Sequence, residues 1–151
     1  MEFKSKNAIS GKEGTAYIKV DGKNEELFGA RGIETKIEFS KGAVKCIGRR
    51  MEGSKITGMK GTGTLKIWYG SPLFVQSVRE YKDTGKPMYF DLVVTNDDPT
   101  SDCGRQTMLY KDCLIDGMIL SQLDAESEDA LSDEIGFTFE DYEPLESFKS
   151  I

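Results

Sequence analysis

Three short stretches alternate apolar and polar residues with a period of two, and that period is the strongest constraint on what this chain can fold into. They are 15–20 (TAYIKV), 64–69 (TLKIWY) and 135–142 (IGFTFEDY). Successive side chains of an extended chain point to opposite faces, so this period turns an apolar face to a core and a polar face to water. In the last stretch Ile135, Phe137 and Phe139 alternate with Gly136, Thr138 and Glu140; in the middle one Leu65, Ile67 and Tyr69 share a face and Trp68 takes the other. Asp21-Gly22-Lys23-Asn24, directly after the first stretch, reads as a tight hairpin turn. Residues 26–39 continue as strand with Leu27, Ile33, Ile37 and Phe39, interrupted by a glycine kink over 29–32.

One helix is predicted over 72–83. Ser71 suits the N-cap and Pro72 the first helical position, where a missing N–H costs nothing. Phe74, Val75, Val78 and Tyr81 form an apolar stripe, and Gly85 and Pro87 end it. Further strands are predicted at 88–95, 106–114 and 117–123, the first two separated by the acidic turn 96–102. Strands dominate without a βαβ alternation. The prediction is therefore a mainly β fold, an antiparallel barrel or sandwich with one flanking α-helix, in a single domain over 1–151.

The pattern lapses between Lys41 and Gly63, where six glycines and six basic residues stand against one acid, Glu52. This predicts a long inter-strand loop, and loops beyond about 12–15 residues are usually functional or disordered. Charge is segregated along the chain: residues 112–151 hold twelve acids and one base, net −11, while residues 1–111 carry net +5. Such a chain can attract copies of itself head to tail.

Most chemistry is disfavoured. The chain has no histidine, the commonest general base and metal ligand, and three cysteines, Cys46, Cys103 and Cys113, without a CxxC pair. Gly48–Lys55 (GRRMEGSK) lacks the lysine directly after the second glycine that a phosphate loop requires. Asn96, Asp97, Asp98 and Asp102 do not have the spacing of a twelve-residue calcium loop, and Glu140, Asp141 and Glu143 read as surface carboxylates near a strand end. The basic stretch could neutralise phosphates, yet no aromatic residue interleaves it between Ser40 and Trp68. No catalytic residue, cofactor or metal is assigned. The N-terminal residues carry no apolar signal core, and apolar runs such as Leu92-Val93-Val94 fall far short of the roughly 20 residues of a membrane span, so neither export nor a membrane anchor is expected.

GRRMEGSKITGMKGTGT at 48–64, ISGKEG at 9–14, Pro72-Leu73-Phe74-Val75, LSQLDAESEDAL at 120–131 and GFTFEDY at 136–142 resemble, in order and spacing, the tail tube proteins of contractile phages and phage-like particles, of the PBSX prophage type. The resemblance spans nearly the whole chain. It implies protomers joined in six-membered rings whose inner strands line one channel, rings stacked into a tube, and a contractile sheath outside. Implied partners are the chain itself, sheath protein, baseplate and tail terminator proteins, and DNA passing through the lumen if the particle bears a genome. Assembly would take place in the bacterial cytoplasm, before release as a phage or bacteriocin-like particle. Alternatives are the tube of another contractile injection machine and a monomeric β-barrel binding module.

In that frame Lys45, Arg49, Arg50, Met51, Lys55, Met59 and Lys60 are the candidate inter-subunit contacts, with the two arginines able to fork onto carboxylates. Asp124, Glu126, Glu128, Asp129, Glu140 and Asp141 are the candidate acidic partners or lumen residues. A free loop would become ordered only on a sibling molecule, at about 1–2 kcal/mol of backbone entropy per residue.

Overall fold

The computed structural model describes residues 4–20, 23–26, 30–69 and 73–148. Eight strands and one α-helix follow a short 3-10 turn: β1 (Gly14–Val20), β2 (Lys23–Glu26), β3 (Ala30–Val44), β4 (Gly53–Trp68), α1 (Leu73–Thr84), β5 (Phe90–Asp97), β6 (Arg105–Ile115), β7 (Ser132–Phe139) and β8 (Asp141–Glu146). Every pairing is antiparallel, in the order β2-β1-β5-β6-β7-β4-β3, with β8 also on β6. The mainly β reading with a flanking helix holds.

The core forms where the alternating faces meet. Ile18 of β1, Phe90 and Leu92 of β5 and Tyr110 and Cys113 of β6 pack with Leu65 and Ile67 of β4 and Ile135, Phe137 and Phe139 of β7. From α1, Phe74 enters fully buried and meets Phe90 edge-on at 6.2 Å. The stripe predicted for the helix is narrower than expected: Phe74 and Ser77 are buried, while Val75 and Tyr81 face outward. Its end is as predicted, with Gly85 at φ +75 donating its N–H to the Tyr81 carbonyl. Ser71 and Pro72 lie outside the described residues, as do Asp21, Gly22, Leu27 and Gly29. The kink predicted near Gly29–Gly32 coincides with a register shift between Ala30 and Gly32.

Two expectations are corrected. Residues 117–123 are not a strand. Side chains hold this stretch instead: Asp133 Oδ2 accepts from the Ile119 N–H, the Tyr69 hydroxyl donates to the Leu120 carbonyl, and Gln122 Nε2 donates to the Ser132 carbonyl. These bonds moor the run to β7 and Tyr69 without a strand ladder. The second correction is larger. Residues 41–63 are not a loop but most of a long hairpin, paired from Ile33–Leu65 out to Val44–Gly53, with only 45–52 as connection.

Glycine explains why the composition misleads here. Gly61 and Gly63 of β4 stand opposite Phe139 and Phe137 of β7. A Cβ on Gly63 would lie 2.5 Å from the Phe137 ring, and one on Gly61 would overlap Phe139. The glycines leave room for aromatic rings on the neighbouring strand and do not mark turns.

A corner in the sheet creates the free part of the hairpin. β6 pairs with β8 over 107–111 and with β7 at Leu114 and Ile115. Between these, Asp112 adopts φ 54, and its N–H is held by Asp91 Oδ1. The partner chain breaks at Glu140, whose N–H reaches the Lys111 carbonyl. β7 therefore ends at Phe139 opposite Gly61 and the chain departs along β6. The outer end of Arg105 then grips Glu146 of β8 in a fork of 2.9 and 2.6 Å, which holds the Glu146 carboxyl below the usual range. Beyond Gly61, residues 53–60 of β4 pair with β3 alone.

Candidate assembly surface

Residues 38–60 thus form a two-stranded arm. Residues 54–60 are exposed without interruption, so neither face of the arm is covered. Its large apolar side chains point into solvent: Phe39, Val44, Ile47, Met51, Ile56 and Met59 are all exposed, and Ile47 at the tip is 108 % exposed. A second register shift, between Ser40 and Lys41, bends the arm, with Thr57 Oγ1 donating to the Ser40 carbonyl at 3.1 Å. At the tip Gly48 takes φ +82, the left-handed conformation the turn requires, and the Arg49 N–H closes onto the Cys46 carbonyl.

The predicted basic contacts divide between tip and base. Arg49, Arg50 and Met51 lie in the connecting turn, while Lys55 is opposite Gly42 on the arm itself. Lys45 reaches Glu52 across the turn at 3.5 Å. Met59 and Lys60 stand at the base of the arm. There they share a groove of about 830 Å³ with Ile37, Phe139, Glu140, Asp141 and Tyr142. Two candidate acids, Glu140 and Asp141, are thereby brought beside two candidate arm residues within one chain. On the other arm face, Lys36 and Glu38 pair at 3.0 Å, which lowers the Glu38 carboxyl and raises the Lys36 ammonium through the shared hydrogen bond and charge. Both are well solvated, so the pair orients side chains more than it stabilises the fold.

The remaining candidate acids lie at the far end of β4. Asp124, Glu126, Glu128 and Asp129 occupy the segment that precedes β7, where Asp124 Oδ1 caps the Glu126 N–H and the Ser127 hydroxyl donates to the Asp129 carbonyl. That segment is moored at the Trp68 end of the sheet, since the Tyr69 N–H bonds the Leu131 carbonyl and Trp68 pairs with Ser132. Arg31 stacks over the Trp68 ring at 4.5 Å and donates to the Ser132 hydroxyl.

Of the apolar side chains on this surface the sequence pointed only to Met51 and Met59, whereas Val44, Ile47 and Ile56 on the arm and Leu120 and Leu123 on the acidic segment are also exposed. On the arm the signal was present as isolated aliphatic residues among glycine and lysine, without the period that would assign them to a core.

Comparison with known proteins agrees along the whole chain. Residues 1–146 match the family model described as phage tail tube protein. The phage-like element PBSX protein XkdM of Bacillus subtilis (strain 168) is 38 % identical over 143 residues, covering 95 % of this chain and 94 % of that one. A second Bacillus subtilis protein, the uncharacterized YqbM, is 38 % identical over 150 residues, 99 % of both chains. Among solved structures, a chain from the structure of an extracellular contractile injection system, at its sheath/tube terminator in the extended state, superposes with a TM-score of 0.71. It is 11 % identical, with 97 % of this chain and 99 % of that chain covered. The SPP1 tail tube superposes with a TM-score of 0.60 at 10 % identity, covering 94 % and 80 %. Sequence and fold lead to one conclusion: the chain belongs to the phage tail tube protein family.

Proposed function

We propose that copies of this chain build the inner tube of a contractile phage tail or phage-tail-like bacteriocin, as six-membered rings stacked around a channel. The observation that carries this reading is the arm. A two-stranded hairpin is at best marginally stable alone in water, yet this one extends past its last sheet neighbour with six large apolar side chains exposed. Covering them with a partner molecule would contribute up to about 1.5–3 kcal/mol at Ile47, which is wholly exposed, and less at Val44, Phe39, Ile56 and Met59, which are already about half covered. Lys45, Arg49, Arg50, Met51, Lys55, Met59 and Lys60 are the contacts assigned to that partner. No residue is given a catalytic role.

The tube would meet sheath, baseplate and terminator proteins and would pass DNA if the particle carries a genome. Assembly would occur in the bacterial cytoplasm before release. The likeness to an extracellular contractile injection system favours, as second reading, a tube of that kind of machine. Negative-stain electron microscopy of the purified protein at high concentration tests the proposal: rings or rods are the expected result, and particles that stay monomeric would overturn it.

A further inference from the structure

Two surfaces of opposite character lie at the two ends of β4. At its Gly53 end is the arm tip, where Arg49 and Arg50 enter no ion pair among the described residues and Ile47 is wholly solvent-facing. Beside its Trp68 end is the segment 117–131, which contains four acids and no base. Its acids likewise have no ion-pair partner among the described residues. Leu123 is 100 % and Leu120 64 % exposed there. Each surface is thus an apolar centre with uncompensated charge around it, and the two signs are opposite. The groove at Glu140 and Asp141 is a poorer acceptor, because Lys111 pairs with the adjacent Glu143 at 3.3 Å.

We propose that the arm tip of one copy docks on the 117–131 segment of the next, with Ile47 seated against Leu120 and Leu123 and Arg49 and Arg50 forked onto Glu126 and Glu128. This deepens the tube reading and rests on it. The 16 residues of β4 separate the two surfaces, roughly 50 Å at strand rise, so a chain cannot satisfy its own tip. The contact is heterologous: a copy with its tip docked still offers its segment, so addition can continue from copy to copy. The acceptor segment is held beforehand by Tyr69, Gln122 and Asp133, so little ordering entropy opposes docking on that side; the arm, a two-stranded hairpin past its last sheet neighbour, gains a cover for its apolar side chains.

Charge reversal on each side, followed by their combination, tests the pairing. Arg49→Glu with Arg50→Glu, and separately Glu126→Lys with Glu128→Lys, are expected to abolish rods in electron micrographs while far-UV circular dichroism stays unchanged; all four together restore rods. If Glu126→Lys with Glu128→Lys assembles as the unaltered protein does, the acceptor is elsewhere and the tube reading survives. Absence of rings and rods from the unaltered protein would instead remove the tube reading itself. An independent arm leaves the charges alone. Cys46 at the tip is exposed, so Leu123→Cys rods treated with a short bismaleimide should yield a ladder of covalent multimers that Cys46→Ser eliminates. Rods that form normally and give only monomer after treatment would refute the docking.

Discussion

Substituting Gly63→Ala probes the feature that made the arm hard to recognise. The added Cβ would sit 2.5 Å from Cζ of Phe137 and 2.9 Å from both Cε atoms. That ring has nowhere to swing, being 1 % exposed and packed against Phe90 at 6.3 Å. Forcing an atom into such a core costs about 1–3 kcal/mol. Against this, alanine restricts the unfolded chain and returns about 0.4–1 kcal/mol. Near the middle of both ranges the net is a destabilisation of about 1–2 kcal/mol, and at this chain length each kcal/mol moves Tm by about 2–4 °C. Thermal unfolding followed by circular dichroism should therefore show a Tm lower by about 2–8 °C. The measurement belongs in the Arg49→Glu, Arg50→Glu background, because assembly would add a concentration-dependent stabilisation. Combining Gly63→Ala with Phe137→Leu should cost less than the sum of the two, since the smaller side chain makes room for the methyl. A Tm equal to or above that of the parent, or strict additivity in the pair, would refute the claim that Gly63 is there to admit the ring.

Phe137→Ala empties the middle of the same core and should destabilise by about 3–5 kcal/mol in urea titrations; an unchanged midpoint would place Phe137 outside the interior. Asp98, 4 % exposed, accepts hydrogen bonds from the Thr100 hydroxyl and the backbone N–H groups of Thr100 and Ser10, which hold its carboxyl below the ordinary range. A depressed folded-state pKa contributes stability that is present above the unfolded carboxyl value and lost as pH falls through the folded one. Asp98→Asn should therefore lower Tm at neutral pH and have less effect at about pH 3, and a difference that is constant across that range would contradict the assignment. Thiol labelling of the native protein should be fast at exposed Cys46 and absent at Cys113, which burial pushes up to about 12; labelling of Cys113 before unfolding would show that this part of the core opens.

The period-two stretches determined much of the architecture before any coordinates. Ile18, Leu65, Ile67, Ile135, Phe137 and Phe139 are core residues because a strand with one wet face must alternate. The end of α1 was equally legible, since Gly85 supplies a left-handed cap that other residues resist. These signals are local: each depends on a residue and its near neighbours along the chain. The arm left no such trace. A hairpin exposed on both faces has no reason to alternate, and its ladder is made of backbone groups that every residue carries. Gly61 and Gly63 looked like turn residues because the rings that require them, Phe139 and Phe137, are more than seventy positions away in sequence. Charge segregation was visible as arithmetic, with net −11 in residues 112–151, but its meaning was not. Only the tertiary fold decided that the basic tip and the acidic segment stand at opposite ends of one strand. The free arm itself depends on a corner at Asp112 and Glu140, where one pair of strands turns away and leaves another to run on alone.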